Sequence, residues 1–303
     1  MTGKDTSIAI GRGEILLSTA AFNGIRALLK SKTGIHLEES SNSLILSRLS
    51  SRVRRQKLPD FDAYLAHVCT PDGAQELVQM INALTTNTTR FFREPGHFEL
   101  LKTEVLPNLI EKAKRGERIR LWSAACASGE EAYSIAALVL DIFPDALDFD
   151  IRILGTDIDT HMLQHAKTGI YPKRSMNGVS EPYIGTLFEA DRGDGKLHIR
   201  QSLKDMTTFR YLNFVEPWPV RGPFHVIFCR NVAIYMDPET QSRIWQGLEN
   251  VLDQEGALFI GHSERIGADL ALQLELFGPT SFRRPLSFIG QNMSQKERGD
   301  VTT

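Results

Sequence analysis

Four short stretches carry residue types able to do chemistry. SAACASGEEAYS, residues 123–134, sets small residues and two acids, Glu130 and Glu131, after an apolar run. IRILGTD ends in Asp157, and FHVIFCRN ends in Arg230 and Asn231, with Tyr235 close behind. TTNTTRFFREPGHF, residues 85–98, places hydroxyls, an amide and two arginines around Phe91 and Phe92. A turn of small residues entering a helix lets backbone approach a ligand closely, but Gly129 is its one glycine, so this is not a GxGxxG phosphate loop. Two acids in a first helical turn would repel a pyrophosphate and suit a positively charged ligand, or simply complement the helix dipole. An acid at the end of a second strand commonly accepts hydrogen bonds from ribose hydroxyls, which is the expectation for Asp157. Asp159 reads as a helix N-cap, and Asp237-Pro238 as another helix start. Arginine and asparagine in succession at a strand's carboxyl end line a site more readily than they pack. By composition alone, residues 85–98 read as an interdomain linker with the two phenylalanines as a latch. The strand-end features together suggest an adenosine ligand with a cationic end and no polyphosphate, which is S-adenosylmethionine.

Those stretches need elements to hold them. Residues 1–85 read as a helical module: Ser18 to Lys32 with Gly34 as its stop, the run SNSLILSRLSSRVRRQK, DFDAYLAHV begun by Asp60, and AQELVQMINAL. From about residue 95 a helix (His97 to Lys114) leads to the strand IRLWSAA, a helix (Glu130 to Asp141), the strand IRILGTD and a helix (Thr160 to Lys167). FHVIFC, a helix from Pro238 to Leu252 and ALFIG follow. Strands alternating with helices predict an α/β fold, a mostly parallel sheet with helices on both faces, and ligands bind outside the carboxyl ends of such strands. The long connection from Gly169 to Arg221 contains RGDGKLHIRQ and TTFRYLNF, read as short strands around a Gly-rich turn, so a small β insertion is expected at about 175–212. The domain expectation is therefore 1–85 helical, 86–290 α/β, and 291–303 a tail too polar to fold.

Composition sets the outer limits. The chain has 303 residues, 42% hydrophobic and 24% charged, with a formal net charge of −2, which argues against binding nucleic acid through bulk electrostatics. Cys69, Cys126 and Cys229 are widely spaced with no CxxC, and read as reduced, buried thiols rather than a disulfide frame or a zinc site. No apolar run approaches the roughly 18 residues that span a membrane, and the N-terminal residues lack a signal-peptide core. Cytoplasmic and monomeric are the default expectations.

TTNTTRFFRE, WSAACASGEEAYSIA, ILGTDIDTHMLQHAKTGIY, GPFHVIFCRNVAIYMD and LFIGHSE closely resemble, in order, the bacterial chemotaxis receptor methyltransferases of the CheR type. The resemblance runs from the N-terminal helices to about residue 289. It implies a Rossmann-like class I methyltransferase sheet with a small β insertion, preceded by an all-α N-terminal domain. It also implies S-adenosylmethionine-dependent methylation of glutamate side chains on chemoreceptors, giving glutamate 5-O-methyl esters and S-adenosylhomocysteine. By the same resemblance the cofactor contacts are Asn87, Thr89, Arg93, Glu131, Asp157, Asn213, Phe214, Arg230 and Asn231, and Arg93 and Tyr235 lie close to the transferred methyl. The linker reading of residues 85–98 gives way to a site reading on this ground alone. The acid-free basic run holding Arg48, Arg52, Arg54, Arg55 and Lys57 becomes a docking face for the receptor's helical bundle. Departures from the family pattern are Ala132 within GEEAYS, Ser128 before Gly129, and Ala233 after Asn231-Val232; none removes a functional group. The turn in EADRGDGKLHI looks shorter than in members that dock on a receptor's C-terminal pentapeptide, so such tethering is expected to be absent.

Overall fold

The computed structural model describes residues 15–267, 270 and 272–285; the tail expected at 291–303 lies outside them. The chain divides into two compact units, one of Met1–Thr86, Asn213–Pro217 and Tyr235–Asp237, the other of Asn87–Leu212, Trp218–Ile234 and Pro238–Thr303.

The first unit is built on α1 (Thr19–Thr33), α2 (Asn42–Arg55), α3 (Phe61–Val68) and α4 (Ala74–Leu84). Local chemistry sets their ends. The Ser18 hydroxyl accepts from Ala21 N–H and the Asp60 carboxylate from Ala63 N–H, while Gly34 closes α1 at φ 77°. Ile25, Leu29, Ile45, Leu49, Phe61 and Tyr64 are fully buried in its core. The two returning segments pack here: Asn213 Nδ2 donates to Lys32 O at 2.7 Å, His36 N–H to Tyr235 O at 2.7 Å, and Lys30 pairs with Asp237 at 2.8 Å.

Two residues of the expected docking face have partners within the same unit. Arg48 donates to the carbonyls of Leu84 (3.0 Å) and Thr85 (2.6 Å), capping the end of α4. Arg52 forms a two-pronged bond with buried Glu76 (2.6 and 2.7 Å), which also accepts from Tyr64 Oη (2.7 Å) and Gln56 Nε2 (2.5 Å). Burial alone would raise the Glu76 pKa, but the hydrogen bonds from Arg52, Tyr64 and Gln56 outweigh it and hold the carboxyl below its usual value. Arg54, Arg55 and Lys57 are the exposed part of the run.

The second unit begins with α5 (Pro95–Leu100), a π turn and α6 (Leu106–Lys114). Then come β1 (Ile119–Ala124), α7 (Glu130–Ile142), β2 (Ile151–Asp157), α8 (Thr160–Thr168), β3 (Ile170–Pro172), α9 (Glu181–Leu187), β4 (Lys196–His198), α10 (Gln201–Met206) and β5 (Thr207–Tyr211). β6 (Phe224–Cys229), α11 (Pro238–Val251), β7 (Leu252–Ile260), β8 (Glu275–Gly278) and β9 (Ser281–Arg283) complete it. The sheet order is β5-β2-β1-β6-β7-β9-β8, parallel from β5 to β7, with β9 antiparallel to both β7 and β8 and β8 therefore running with the parallel strands. This is the Rossmann-like class I methyltransferase arrangement expected from the sequence. Order reverses between β1 and β6, which places a switch-point crevice at their carboxyl ends. Every residue of β6 is buried, as a strand covered on both faces requires, and Phe228 stacks on Phe259 with centroids 4.5 Å apart.

Two sequence expectations need correction. β4 pairs with β3 in a separate two-stranded sheet, as an insertion should, but TTFRY forms β5 and joins the main sheet beside β2. As an edge strand in which Phe209 is the one fully buried residue, β5 has the alternating composition of a small hairpin strand. Cys69 is exposed, whereas Cys126 and Cys229 are buried and unpaired.

Candidate functional site

The turn after β1 is tightly bent: Ala125, Ala127 and Gly129 all have positive φ (67°, 46° and 95°). A Cβ on Gly129 would lie 2.7 Å from that of Ala166, so glycine is needed there for packing as well as conformation. The two alanines carry backbone strain of a kind that clusters at ligand sites. Asp157, at the end of β2, holds this turn: its Oδ2 accepts from Ala127 N–H and its Oδ1 from Asp159 N–H, both at 2.8 Å. Asp159 in turn caps α8, accepting from His161 and Met162 N–H, and receives Asn87 Nδ2 at 2.7 Å. Burial pushes the Asp157 carboxyl up to about 6, against the opposing pull of those N–H donors. The Ile158 N–H also bonds this carboxylate, so of its roughly four acceptor directions about one remains for a ligand hydroxyl. A buried carboxylate of this kind, beside strained backbone and with no glycine-rich phosphate cradle, fits a ribose hydroxyl and does not call for a polyphosphate.

The first-turn acids, expected as counter-charge for a cationic ligand, both have partners within the protein. Glu131 Oε2 accepts from Arg230 Nε at 2.7 Å, and its Oε1 accepts from the Ser123 hydroxyl at 2.7 Å. Its charge is therefore matched inside the protein. Burial raises the Glu130 pKa, and its carboxyl oxygen accepts from the Ser128 hydroxyl at 2.6 Å. The Arg230 side chain is only 2% exposed. Its Nη1 reaches Arg93 O (2.7 Å), Glu94 (3.3 Å) and His97 Nδ1 (3.2 Å), and its guanidinium lies over the rings of Phe98 and Phe228. Arg230 thus ties the end of β6 to α7 and to the segment leading into α5.

His97 sits within this network, its Nε2 within hydrogen-bond reach of Pro279 O and Thr280 Oγ1. Burial, followed by the charge of Arg230, lowers its pKa to about 4, so it is neutral at physiological pH. Nδ1 then accepts from Arg230 and Nε2–H donates. Ligand atoms of Glu94, His97 and His262 lie within 4.8 Å of one another. The guanidinium beside them and the engagement of both His97 nitrogens suit an ion-pair network, not a metal centre.

Beyond β6 the chain turns at Asn231, at φ 58°, whose Nδ2 reaches Glu94 Oε1 at 3.4 Å. The backbone of this turn is held by Glu264, a residue to which the sequence reading assigned no role although LFIGHSE contains it. Glu94, His97 and Ser123 were likewise passed over. Glu94 and His97 pair at i,i+3 and Ser123 meets Glu131 eight residues on, but the bonds of Glu94 and His97 to Arg230 and those of Glu264 to the turn at 231–233 join segments far apart in the chain.

Among the residues named from sequence, Asn87, Thr89, Arg93, Glu131, Asp157, Arg230 and Asn231 belong to the sheet unit, while Asn213, Phe214 and Tyr235 cluster with the helical unit. Asn87 meets Asp159, and Glu131 meets Arg230. Arg93 is half-buried, and its Nη1 donates to Thr88 O at 2.8 Å.

Comparison with known proteins agrees with this geometry. Residues 87–280 match the family described as CheR methyltransferase, SAM binding domain, and residues 20–85 match CheR methyltransferase, all-alpha domain. A "Probable chemotaxis protein methyltransferase" from Rhizobium etli is 41% identical over 87% of this chain and 99% of its own. "Chemotaxis protein methyltransferase 2" of Pseudomonas aeruginosa is 38% identical over 85% of this chain and 91% of its own. "Chemotaxis protein methyltransferase" of Escherichia coli K12 is 35% identical over 91% and 95%.

Proposed function

Since the chain belongs to the CheR methyltransferase family, we propose that it methylates glutamate side-chain carboxylates on the cytoplasmic helical bundle of chemoreceptors. The products of this protein-glutamate O-methyltransferase are glutamate 5-O-methyl esters and S-adenosylhomocysteine. The observation that supports the reading is Asp157: a buried carboxylate at the carboxyl end of β2 that fixes the turn after β1 and keeps about one acceptor direction for a ribose hydroxyl. When bound, S-adenosylmethionine supplies a methyl group on a sulfonium, open to in-line displacement by a carboxylate oxygen.

A glutamate carboxyl with an ordinary pKa near 4.3 is already ionised at neutral pH, so no residue of this chain needs to act as a base. The work left to the protein is alignment. Arg93 and Tyr235 orient the acceptor carboxylate. Asn87, Thr89, Asp157, Asn213, Phe214 and Asn231 hold the cofactor. Glu131 and Arg230 join them chiefly through their ion pair, which fixes the backbone of three surrounding segments. Arg54 and Arg55, with Lys57, supply the positive face for the receptor bundle, while Arg48 and Arg52 are engaged within the helical unit.

The test uses methyl-labelled cofactor and receptor-containing membranes, followed by treatment with base. Carboxyl methyl esters release volatile methanol, which is the expected result. Base-stable label would point to methylation at nitrogen, and no transfer at all to a binding module; either outcome removes the reading.

A further inference from the structure

The backbone N–H groups of Asn231, Val232, Ala233 and Gly261 converge on one buried carboxylate. Glu264 Oε1 accepts from Val232 at 2.9 Å and Ala233 at 2.8 Å, and its Oε2 accepts from Asn231 at 2.9 Å and Gly261 at 2.6 Å. The donors come from the ends of two neighbouring parallel strands, since Cys229 of β6 and Ile260 of β7 are partners in register. Glu264 is only 3% exposed, and its own N–H donates to Gly261 O at 2.9 Å, closing the second turn on itself.

Gly261 makes this arrangement possible. A Cβ there would lie 2.6 Å from Asn231 Nδ2, 2.8 Å from Asn231 N and 2.8 Å from Glu264 Oε2. Its φ is ordinary, so glycine is required for close approach rather than for backbone conformation. Asn231, by contrast, sits in the left-handed region at φ 58°, and the bond from its N–H to Glu264 helps to hold it there.

An ionised carboxylate offers about four acceptor directions. Glu264 uses as many for backbone donors, which leaves it no acceptor direction for a substrate. Its chemistry is spent on geometry. We propose that Glu264 is a positioning residue for methyl transfer: by bridging the two strand ends it fixes the turn 231–233 in the one shape that presents Asn231 to the reacting groups. The proposal rests on the methyl-transfer reading and adds to it a residue that touches neither cofactor nor acceptor.

Glu264→Gln keeps the size of the side chain but turns one of its two acceptor ends into a donor facing N–H groups, so two of the four bonds are lost. Gly261→Ala disturbs the same contact by crowding and leaves the charge in place. Glu264→Asp keeps the charge but is one methylene too short to serve both strand ends. Each variant is compared with wild type in three measurements: kcat for receptor methylation at saturating substrates, Kd for S-adenosylhomocysteine by calorimetry, and amide hydrogen exchange. The expected result is a fall in kcat of about tenfold or more, because small misplacements are costly when alignment is the catalytic task. Kd should weaken too, because Asn231 is among the residues proposed to hold the cofactor, but by clearly less than kcat falls, and faster exchange should be confined to amides 231–233 and 261. Aspartate should fall between wild type and glutamine. Variants with kcat near wild type would overturn the proposal. So would a Kd that weakens in step with kcat, or faster exchange throughout β1 and β6, since either would mark a general structural role. A wild-type protein that yields no base-labile methyl ester would instead count against the methyl-transfer reading, which the wild-type arm reads separately.

Discussion

On the proposed reading Asp157 is a cofactor-binding carboxylate, and its environment would make that recognition depend on pH. Its pKa of about 6 in the free protein comes from burial, and hydroxyl donors from a bound ligand would favour the charged form and lower it. Affinity for S-adenosylhomocysteine should therefore be flat above about pH 6 and fall by up to about tenfold per pH unit below it, because the carboxyl must first give up a proton. Calorimetric titration across this range checks the slope, and Asp157→Asn should abolish it while weakening binding by about tenfold or more at neutral pH, or about 1.4 kcal/mol. The sign for folding is opposite. A carboxyl raised from 3.8 to about 6 in the folded protein contributes stability at low pH that is lost as pH rises through that window. Tyr235→Phe asks a narrower question: if the hydroxyl orients the acceptor, kcat falls at unchanged cofactor Kd, and full turnover would leave only the ring a role. Arg230 shows how far a residue's type can be read. The sequence pointed to its importance, but its bonds to Glu131, Arg93, Glu94 and His97 make it a buried tie rather than an open hand.

At the scale of elements, α2 carries two kinds of arginine. Arg52 reaches Glu76 on α4 as a two-pronged pair whose side chains are 13% and 4% exposed. Removing one member of such a pair strands the other, so Glu76→Ala should destabilise the protein by about 3 kcal/mol, read from the denaturant midpoint. The Glu76 pKa is lowered in the folded protein, so this contribution is present above its unfolded value and lost as pH falls through the folded one. Reversing Arg54 and Arg55 to glutamate should leave stability unchanged and raise the KM for receptor; a reversal that unfolds the protein would contradict the division. Part of this was legible. Ser18, Asp60, Asp159 and the glycines 34 and 169 mark helix ends by chemistry that acts within a turn, and the apolar runs of β1, β2, β6 and β7 announce strands covered on both faces. What could not be read depends on distant partners. Arg48 meets Thr85 and Arg52 meets Glu76, 37 and 24 residues away, so a basic run looked uniformly available when two of its five members were already engaged. β5 looked like part of an insertion because an edge strand and a hairpin strand alternate in the same way.

For the whole molecule, a net charge of −2 gives little general attraction for an acidic partner, so the docking proposed above would have to be local to the exposed basic positions. Raising ionic strength from about 0.05 to about 0.3 M should increase the receptor KM while leaving kcat nearly unchanged, since screening acts on the exposed charges and not on the buried Glu131–Arg230 pair. Among the described residues no helix is long and apolar enough to cross a membrane. The central claim is chemical: the methyl group goes to a glutamate oxygen. Tandem mass spectrometry of receptor peptides, taken after incubation with S-adenosylmethionine and again after mild base, tests it most directly. The account predicts methyl groups on glutamate side chains that disappear on base treatment and are missing when Asp157→Asn replaces the wild-type protein. Methyl groups on lysine or arginine nitrogen, or receptor peptides that remain unmodified, would contradict it.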